Sequence, residues 1–188
     1  MLNVPHPDER LHNPLSPVGR PDNRFPDPHI KIFTNPDTGH EAMYVYVGHD
    51  EAKERFVMKD WFVMWSEDLV HWNCARSLKR EDTYMPADSV NCWACDCVQS
   101  PWDGKYYLYY CLDFLKEIGV AVADTPVGPF EFLDFVRYPN GDILGARPDE
   151  IRQFDPGIFI DDDKRIYLFS GNSPRYKTTP VDKDSLKM

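Results

Sequence analysis

The sequence predicts an all-β chain, and three observations carry that prediction. Short runs rich in β-branched and aromatic residues recur along it, turn chemistry separates them, and no long stretch sustains a helical period. Aromatics make up 14% of the 188 residues, a share that suits strands and flat apolar binding surfaces.

The elements follow in chain order. Residues 1–24 are rich in Pro, Asn, Asp and Arg and lack periodicity. They read as an extended lead-in, with residues 25–188 as the folded domain. From there "HIKIF", "AMYVYVG", "WFVMWS", "KYYLYYCL", "GVAVAD", "GIFID" and "RIYLFSG" have strand length and strand composition. Between them stand "NPDTGH", "SEDLVHW", "SPWDGK", "TPVGPF", "YPNGD" and "DDDK", all turn chemistry.

Three of these units repeat. Asp27 is followed by "PHIKIF", a turn and "AMYVYVG"; Asp96 by "CVQS", a turn and "YYLYYC"; Asp155 by "PGIFI", a turn and "IYLFSG". The aspartates lie 69 and 59 positions apart. A hairpin at that period, with further strands in the gaps, fits a four-stranded propeller blade. The innermost strand of each blade lines the central channel, so residues opening successive inner strands converge on one pocket. Asp-Pro is also a common turn dipeptide, and a single occurrence would mean no more than that.

Composition narrows the function. A net charge of −10 and a pI near 5.0 disfavour nucleic acid and anionic membrane surfaces, which need clustered Lys and Arg. A neutral ligand or a cation fits that charge. The N-terminal residues hold no apolar signal-peptide core, and no run reaches transmembrane length. The five cysteines read as reduced thiols, which places the chain in the cytoplasm as an expectation.

Five phrases, in order, resemble glycoside hydrolase family 43, the five-bladed propellers that include β-xylosidases, α-L-arabinofuranosidases and arabinanases. "NPLSP…RFPDPHIKIF" is similar to the family's opening segment, and "FVMWSEDLVHW" to its recurrent S-x-D-L-V-x-W. "CWACDCVQSPWDGKYYLYYC" resembles its W-A-P-D-V…G-K-Y-Y-L-Y-Y blade, with Cys95 in place of the usual Pro. "IGVAVADTPVGPFE" and "FDPGIFIDDDKRIYLFSG" resemble the next two phrases.

The resemblance implies an inverting hydrolase of xylose- or arabinose-containing oligosaccharides. A carboxylate activates water, a carboxylic acid protonates the leaving oxygen, and a third carboxylate tunes the acid. By motif position Asp27 matches the general base and Asp155 the pKa-tuning aspartate. The general acid should be a Glu on the following blade, yet the last Glu in this sequence is Glu150. The expectation is therefore a fragment of about three blades, nearly inactive alone and poorly soluble. The oligomeric state is left open.

The resemblance also implies a sugar pocket lined by Trp93, with a core Trp between blades as the alternative. Asp96 is expected to reach that pocket or to cap a turn; His29 and Phe154 are expected to border it. No cofactor is implied. Some members of the family hold a central cation, but its usual protein ligand would lie in a later blade, so no metal site is expected here. Arg24 and Arg152 precede the key aspartates and fit either carboxylate orientation or surface ion pairs.

Cys92, Cys95 and Cys97 invite a zinc reading. They lack a fourth ligand and a second pair, and strand alternation puts Cys92 on another face, so buried structural thiols are expected. "DDDK" lacks the Gly and distal Glu of a calcium loop and reads as a solvated turn.

The competing readings are a noncatalytic carbohydrate-binding propeller, favoured by the missing Glu, and a WD or kelch interaction propeller. "SEDLVHW" has no Gly-His…Trp-Asp frame, which counts against the latter. Sucrose- and fructan-cleaving propellers would open with a W-M-N-D-P-N-G-like phrase, and "RFPDPHI" is not that.

Overall fold

The computed structural model describes residues 24–52, 54–84, 91–113, 116–148 and 150–171. The lead-in therefore lies almost wholly outside the described residues. Its last member, Arg24, makes an isolated antiparallel bridge to Asp50.

Among the described residues ten strands form three antiparallel sheets whose strands follow chain order. The first sheet comprises β1 (His29–Thr34), β2 (Glu41–Asp50), β3 (Met58–Ser66) and β4 (Asn73–Lys79). A single 3-10 turn, Arg80–Asp82, follows it. The second sheet comprises β5 (Cys92–Gln99), β6 (Tyr106–Leu112), β7 (Gly119–Ala123) and β8 (Glu131–Phe135). The third pairs β9 (Gly157–Ile160) with β10 (Ile166–Phe169). Two four-stranded blades and the inner hairpin of a third are a partial propeller.

The inner hairpins share one turn chemistry. Asn35 N–H bonds His40 O at 2.7 Å and Gly39 N–H returns to Asn35 O at 2.8 Å. Ser100 and Gly104 repeat both bonds with Lys105, at 2.8 and 3.0 Å. Gly39 and Gly104 take positive φ (75° and 73°), which only glycine adopts without steric cost. In the third hairpin Lys164 carries the positive φ, 68°, across the exposed "DDDK" turn.

The phrase "SEDLVHW" is a turn, too. Ser66 Oγ accepts Leu69 N–H at 2.8 Å, and Asp68 Oδ1 accepts Val70 and His71 N–H at 2.9 and 2.7 Å. Its residues cap the β3–β4 hairpin.

The main core lies between the first two sheets. Tyr44, Tyr46, Trp61 and Val63 face Cys95, Cys97, Leu108 and Tyr110, all buried. The Trp61 ring meets Tyr110 at 4.9 Å, and its Nε1–H donates to Trp93 O. Tyr46 O–H reaches Pro126 O at 2.6 Å. The polar ends of Trp61 and Tyr46 are thus satisfied across the blade boundary, which lets both be buried.

Two strands, β4 and β8, carry no run that the sequence marks as a strand. They are the outermost strands of their blades and are largely polar or half-exposed. The second repeat also shifts register. Asp27 and Asp155 each stand two residues before their strands, whereas Asp96 lies inside β5, which begins four residues earlier at Cys92. Asp96 therefore does not open an inner strand as the repeat predicts.

Candidate active site

Asp27 and Asp155 head the inner strands of the first and third sheets in the same backbone conformation. Both have positive φ, 55° and 48°, and both precede a proline. Left-handed backbone is costly for most L-residues, and Asp and Asn tolerate it best. Each Asp-Pro pair is thus a sharp bend that turns a carboxylate out at the strand head.

Asp27 senses its neighbours, Asp155 among them. Burial by surrounding protein raises the pKa of Asp27 above the ordinary 3.8, the Asp155 charge raises it further, and His29 opposes both. Asp27 nonetheless reaches solvent. A partly desolvated carboxylate open to water is suited to accepting a proton.

Asp96 is 2% exposed. Its Oδ2 accepts Lys31 Nζ and the Ile158 N–H, each at 2.8 Å. Its Oδ1 accepts the Cys97 N–H at 2.8 Å and lies 3.3 Å from His29 Nδ1. Burial pushes its pKa up, but hydrogen bonds from His29, Ile158 and Lys31, with the Lys31 charge, hold it below 3.8 overall. Asp96 offers no face to a ligand, and it caps no turn. The expectation that it contacts sugar is corrected on this point: protein donors occupy the carboxylate.

Trp93 is half-buried. Its Nε1–H donates to Asp113, whose other oxygen accepts Asn91 N–H and Nδ2 at 3.0 and 2.7 Å. The Trp93 ring lies 6.0 Å from Phe154 and 5.0 Å from Phe56, and Phe56 is 63% exposed. Arg152 stacks over Phe154 at 4.5 Å and donates to Leu112 O at 3.1 Å. Phe56, Trp93 and Phe154 thus form one aromatic row drawn from three segments, the kind of apolar face that sugar C–H groups pack on. Arg152 orients this row, while Arg24 donates to Ala52 O at 2.8 Å.

His29 borders the same region: a Cβ on Gly157, which follows the Asp155-Pro pair, would lie 3.9 Å from its Cε1. Sequence reasoning did not single out Lys31, Asp113 or Phe56. Lys31 was detectable in principle, since it shares the inward face of β1 with His29 and Phe33. A lysine on that face calls for a carboxylate partner. Phe56 and Asp113 sit in loops and carried no pattern.

Cys92, Cys95, Cys97 and Cys111 are free and buried, and burial raises the pKa of each, Cys111 to about 12. Such thiols stay protonated and inert. Among the described residues no group of three or more His, Cys, Asp or Glu is arranged to hold a metal ion. A cleft of about 330 Å³ lined by Glu51, Lys59, Asp60, Arg76, Lys79, Glu81 and Asp82 lies on the first sheet, and none of Asp27, Asp96 or Asp155 lines it.

Asp27 and Asp155 at the heads of two inner strands and the row of Phe56, Trp93 and Phe154 are the features of this partial propeller that a sugar-binding face would use. The family model for glycosyl hydrolases family 43 matches residues 21–187, and the chain belongs to that family. It is 37% identical over 139 residues to a xylosidase/arabinosidase of Thermoclostridium stercorarium, covering 71% of this chain and 29% of the relative. It is 31% identical over 167 residues to a β-xylosidase of Xylanibacter ruminicola, covering 80% and 46%. The chain thus spans less than half the length of these relatives.

Solved structures agree. A β-xylosidase/α-arabinofuranosidase from a compost microbial metagenome, in complex with xylotriose, matches with a TM-score of 0.56 and 25% identity, over 77% of this chain and 41% of its own. A family 43 enzyme from Xanthomonas citri, also complexed with xylotriose, matches with a TM-score of 0.56 and 26% identity, over 77% and 38%.

Proposed function

We propose that this chain supplies the water-activating half of an inverting glycoside hydrolase acting on xylose- or arabinose-containing oligosaccharides. The observation that supports this most is the pair of matched Asp-Pro bends, which turn Asp27 and Asp155 out at the heads of two inner strands in mutual electrostatic contact. Asp27 acts as general base and draws a proton from water on one face of the sugar. Asp155 raises the proton affinity of its neighbours and orients the acid. Trp93 and Phe154 offer apolar faces to the sugar ring, and His29 borders it. The relatives named xylosidase or arabinosidase and the xylotriose complexes support the choice of sugar.

No Glu follows Asp155 in this sequence. In this reading the proton donor to the leaving oxygen is not a Glu after Asp155 in this sequence. Inverting enzymes hold acid and base roughly 6.5–9.5 Å apart, and a blade across the channel can supply that gap.

Leaving-group chemistry tests this reading. A 2,4-dinitrophenyl glycoside departs without protonation, whereas ordinary glycosides lose about 10²–10⁴-fold without an acid. The expected result is Asp27-dependent hydrolysis of 2,4-dinitrophenyl β-xyloside or α-L-arabinofuranoside by this chain, with the p-nitrophenyl analogues turned over poorly. Hydrolysis of the activated substrates that survives Asp27→Asn would overturn the assignment of the base. The second reading, a noncatalytic carbohydrate-binding propeller, rests on the row of Phe56, Trp93 and Phe154, on which a sugar can pack without turnover. It predicts xylotriose binding with no dinitrophenyl hydrolysis at all.

A further inference from the structure

The strands that carry Asp27 and Asp155 belong to different sheets and share no backbone ladder. Something else must set their spacing, and one buried group touches both. Asp96, inside β5 of the middle sheet, accepts from Lys31 Nζ at 2.8 Å and lies 3.3 Å from His29 Nδ1, both on β1. The same carboxylate accepts the Ile158 N–H of β9 at 2.8 Å. Lys31 Nζ also donates to Ile158 O at 2.9 Å, so the two strands are joined through one lysine as well as through the carboxylate.

The positions matter. His29 is two residues after Asp27, and Ile158 three residues after Asp155. At about 3.3 Å per strand residue, each anchor sits within one short bend of the carboxylate it steadies. The bends are left-handed and proline-followed, so an anchored strand leaves the aspartate little freedom.

The chemistry also selects Asp over Asn. The donors converging on this side chain are Lys31 Nζ, Ile158 N–H, Cys97 N–H and the His29 ring nitrogen. An ionised carboxylate is acceptor-only and satisfies all of them, whereas an amide would turn its own N–H groups toward donors.

We propose that Asp96 is a positioning residue whose buried carboxylate, bonded to β1 through Lys31 and His29 and to β9 through the Ile158 N–H, sets the separation of Asp27 and Asp155. It acts through those strands and touches no substrate. The proposal rests on the reading of Asp27 and Asp155 as the working carboxylates, but the spacing it concerns exists without turnover.

The test is a coupling cycle read by carbon-detected NMR titration of the Asp27 carboxyl in the full chain. Asp155→Asn removes the neighbouring charge that raises the Asp27 pKa, and the size of the resulting fall reports the spacing of the pair. The measurement is repeated in an Asp96→Asn background and in a Lys31→Met background. Any direct effect of the Asp96 or Lys31 charge on Asp27 is present in both arms and cancels, as do those of His29 and of the nearby Cys95 and Cys111 thiols.

The expected result is a fall on Asp155→Asn that is at least halved in both backgrounds. A fall of unchanged size in either folded background overturns the proposal. Lys31 is 22% exposed, so Lys31→Met is the milder change and carries the test where Asp96→Asn does not fold. Loss of the fold in both backgrounds also overturns it, since the cluster would then hold the molecule together and not the pair. The glycosidase reading stands or falls separately, on dinitrophenyl glycoside hydrolysis.

Discussion

The pKa of Asp27 ties its environment to a pH profile. A general base works deprotonated, so a raised pKa moves the acidic limb of kcat/KM upward from the ordinary aspartate value of 3.8. Asp155→Asn removes one cause of that shift, and the limb on a dinitrophenyl glycoside should move to lower pH. Asp96 has the opposite sign. Its folded-state pKa is depressed, so the folded chain binds fewer protons than the unfolded one as pH falls from 3.8. Its contribution to stability is present above that value and is lost as pH drops through the folded pKa. Thermal melts of Asp96→Asn should show lower stability at neutral pH and a flatter acid limb than the parent. Conformation makes a further demand at Asp27: φ is 55°, which Asn also tolerates. Asp27→Asn should leave the melting temperature nearly unchanged, whereas Asp27→Val should cost about 1–2 kcal/mol in denaturant unfolding. Asp27, Asp155, Trp93, His29 and Phe154 were all visible in the sequence as parts of motifs. The burial of Asp96 was not, because a strand-opening Asp and a mid-strand Asp look alike until the register is known.

Strands were legible where both faces pack. β2 carries the run YVYV and β6 the run YYLYY, and both strands run through blade interiors. β4 and β8, at the outer edge of each blade, show one face to solvent, and charged residues such as Arg76, Lys79, Glu131 and Asp134 hide the alternation. The blade boundary is where an element-level change should be felt most. Trp61 on β3 is fully buried, bonds Trp93 O and packs on Tyr110. Trp61→Ala should cost about 3–5 kcal/mol in denaturant unfolding. Gly119 opens β7 with no space for a side chain, since an added Cβ would stand 2.6 Å from both Tyr110 Cζ and Tyr84 Cε1. Gly119→Ala should therefore cost about 1–3 kcal/mol by overpacking.

Among the described residues, the first and third sheets each carry exposed apolar side chains. Ile30 and Ile32 point outward from β1, while Phe159 and Phe169 point outward from the third sheet, and all four are exposed. The boundary between the first two sheets buries residues of this kind. Exposed faces of this composition bind apolar dyes and promote association. Phe159→Lys with Phe169→Lys should lower dye fluorescence and slow self-association in sedimentation experiments, with little change in unfolding midpoint. Five phrases in family order made the propeller recognisable from the sequence alone. Their order did not disclose how the sheets are joined, because the joining groups are single side chains scattered across all three.

The ties from Lys31 to Asp96 and to Ile158 span 65 and 127 positions, whereas each sheet joins neighbours in chain order. Contacts between neighbours close small loops and form early, and distant ones wait for the pieces they connect. During refolding, strand content should return first and the coupling of Asp27 to Asp155 last. A chain of this design spends part of every folding event as well-formed hairpins with no site between them, and the pair of carboxylates is the final thing it makes.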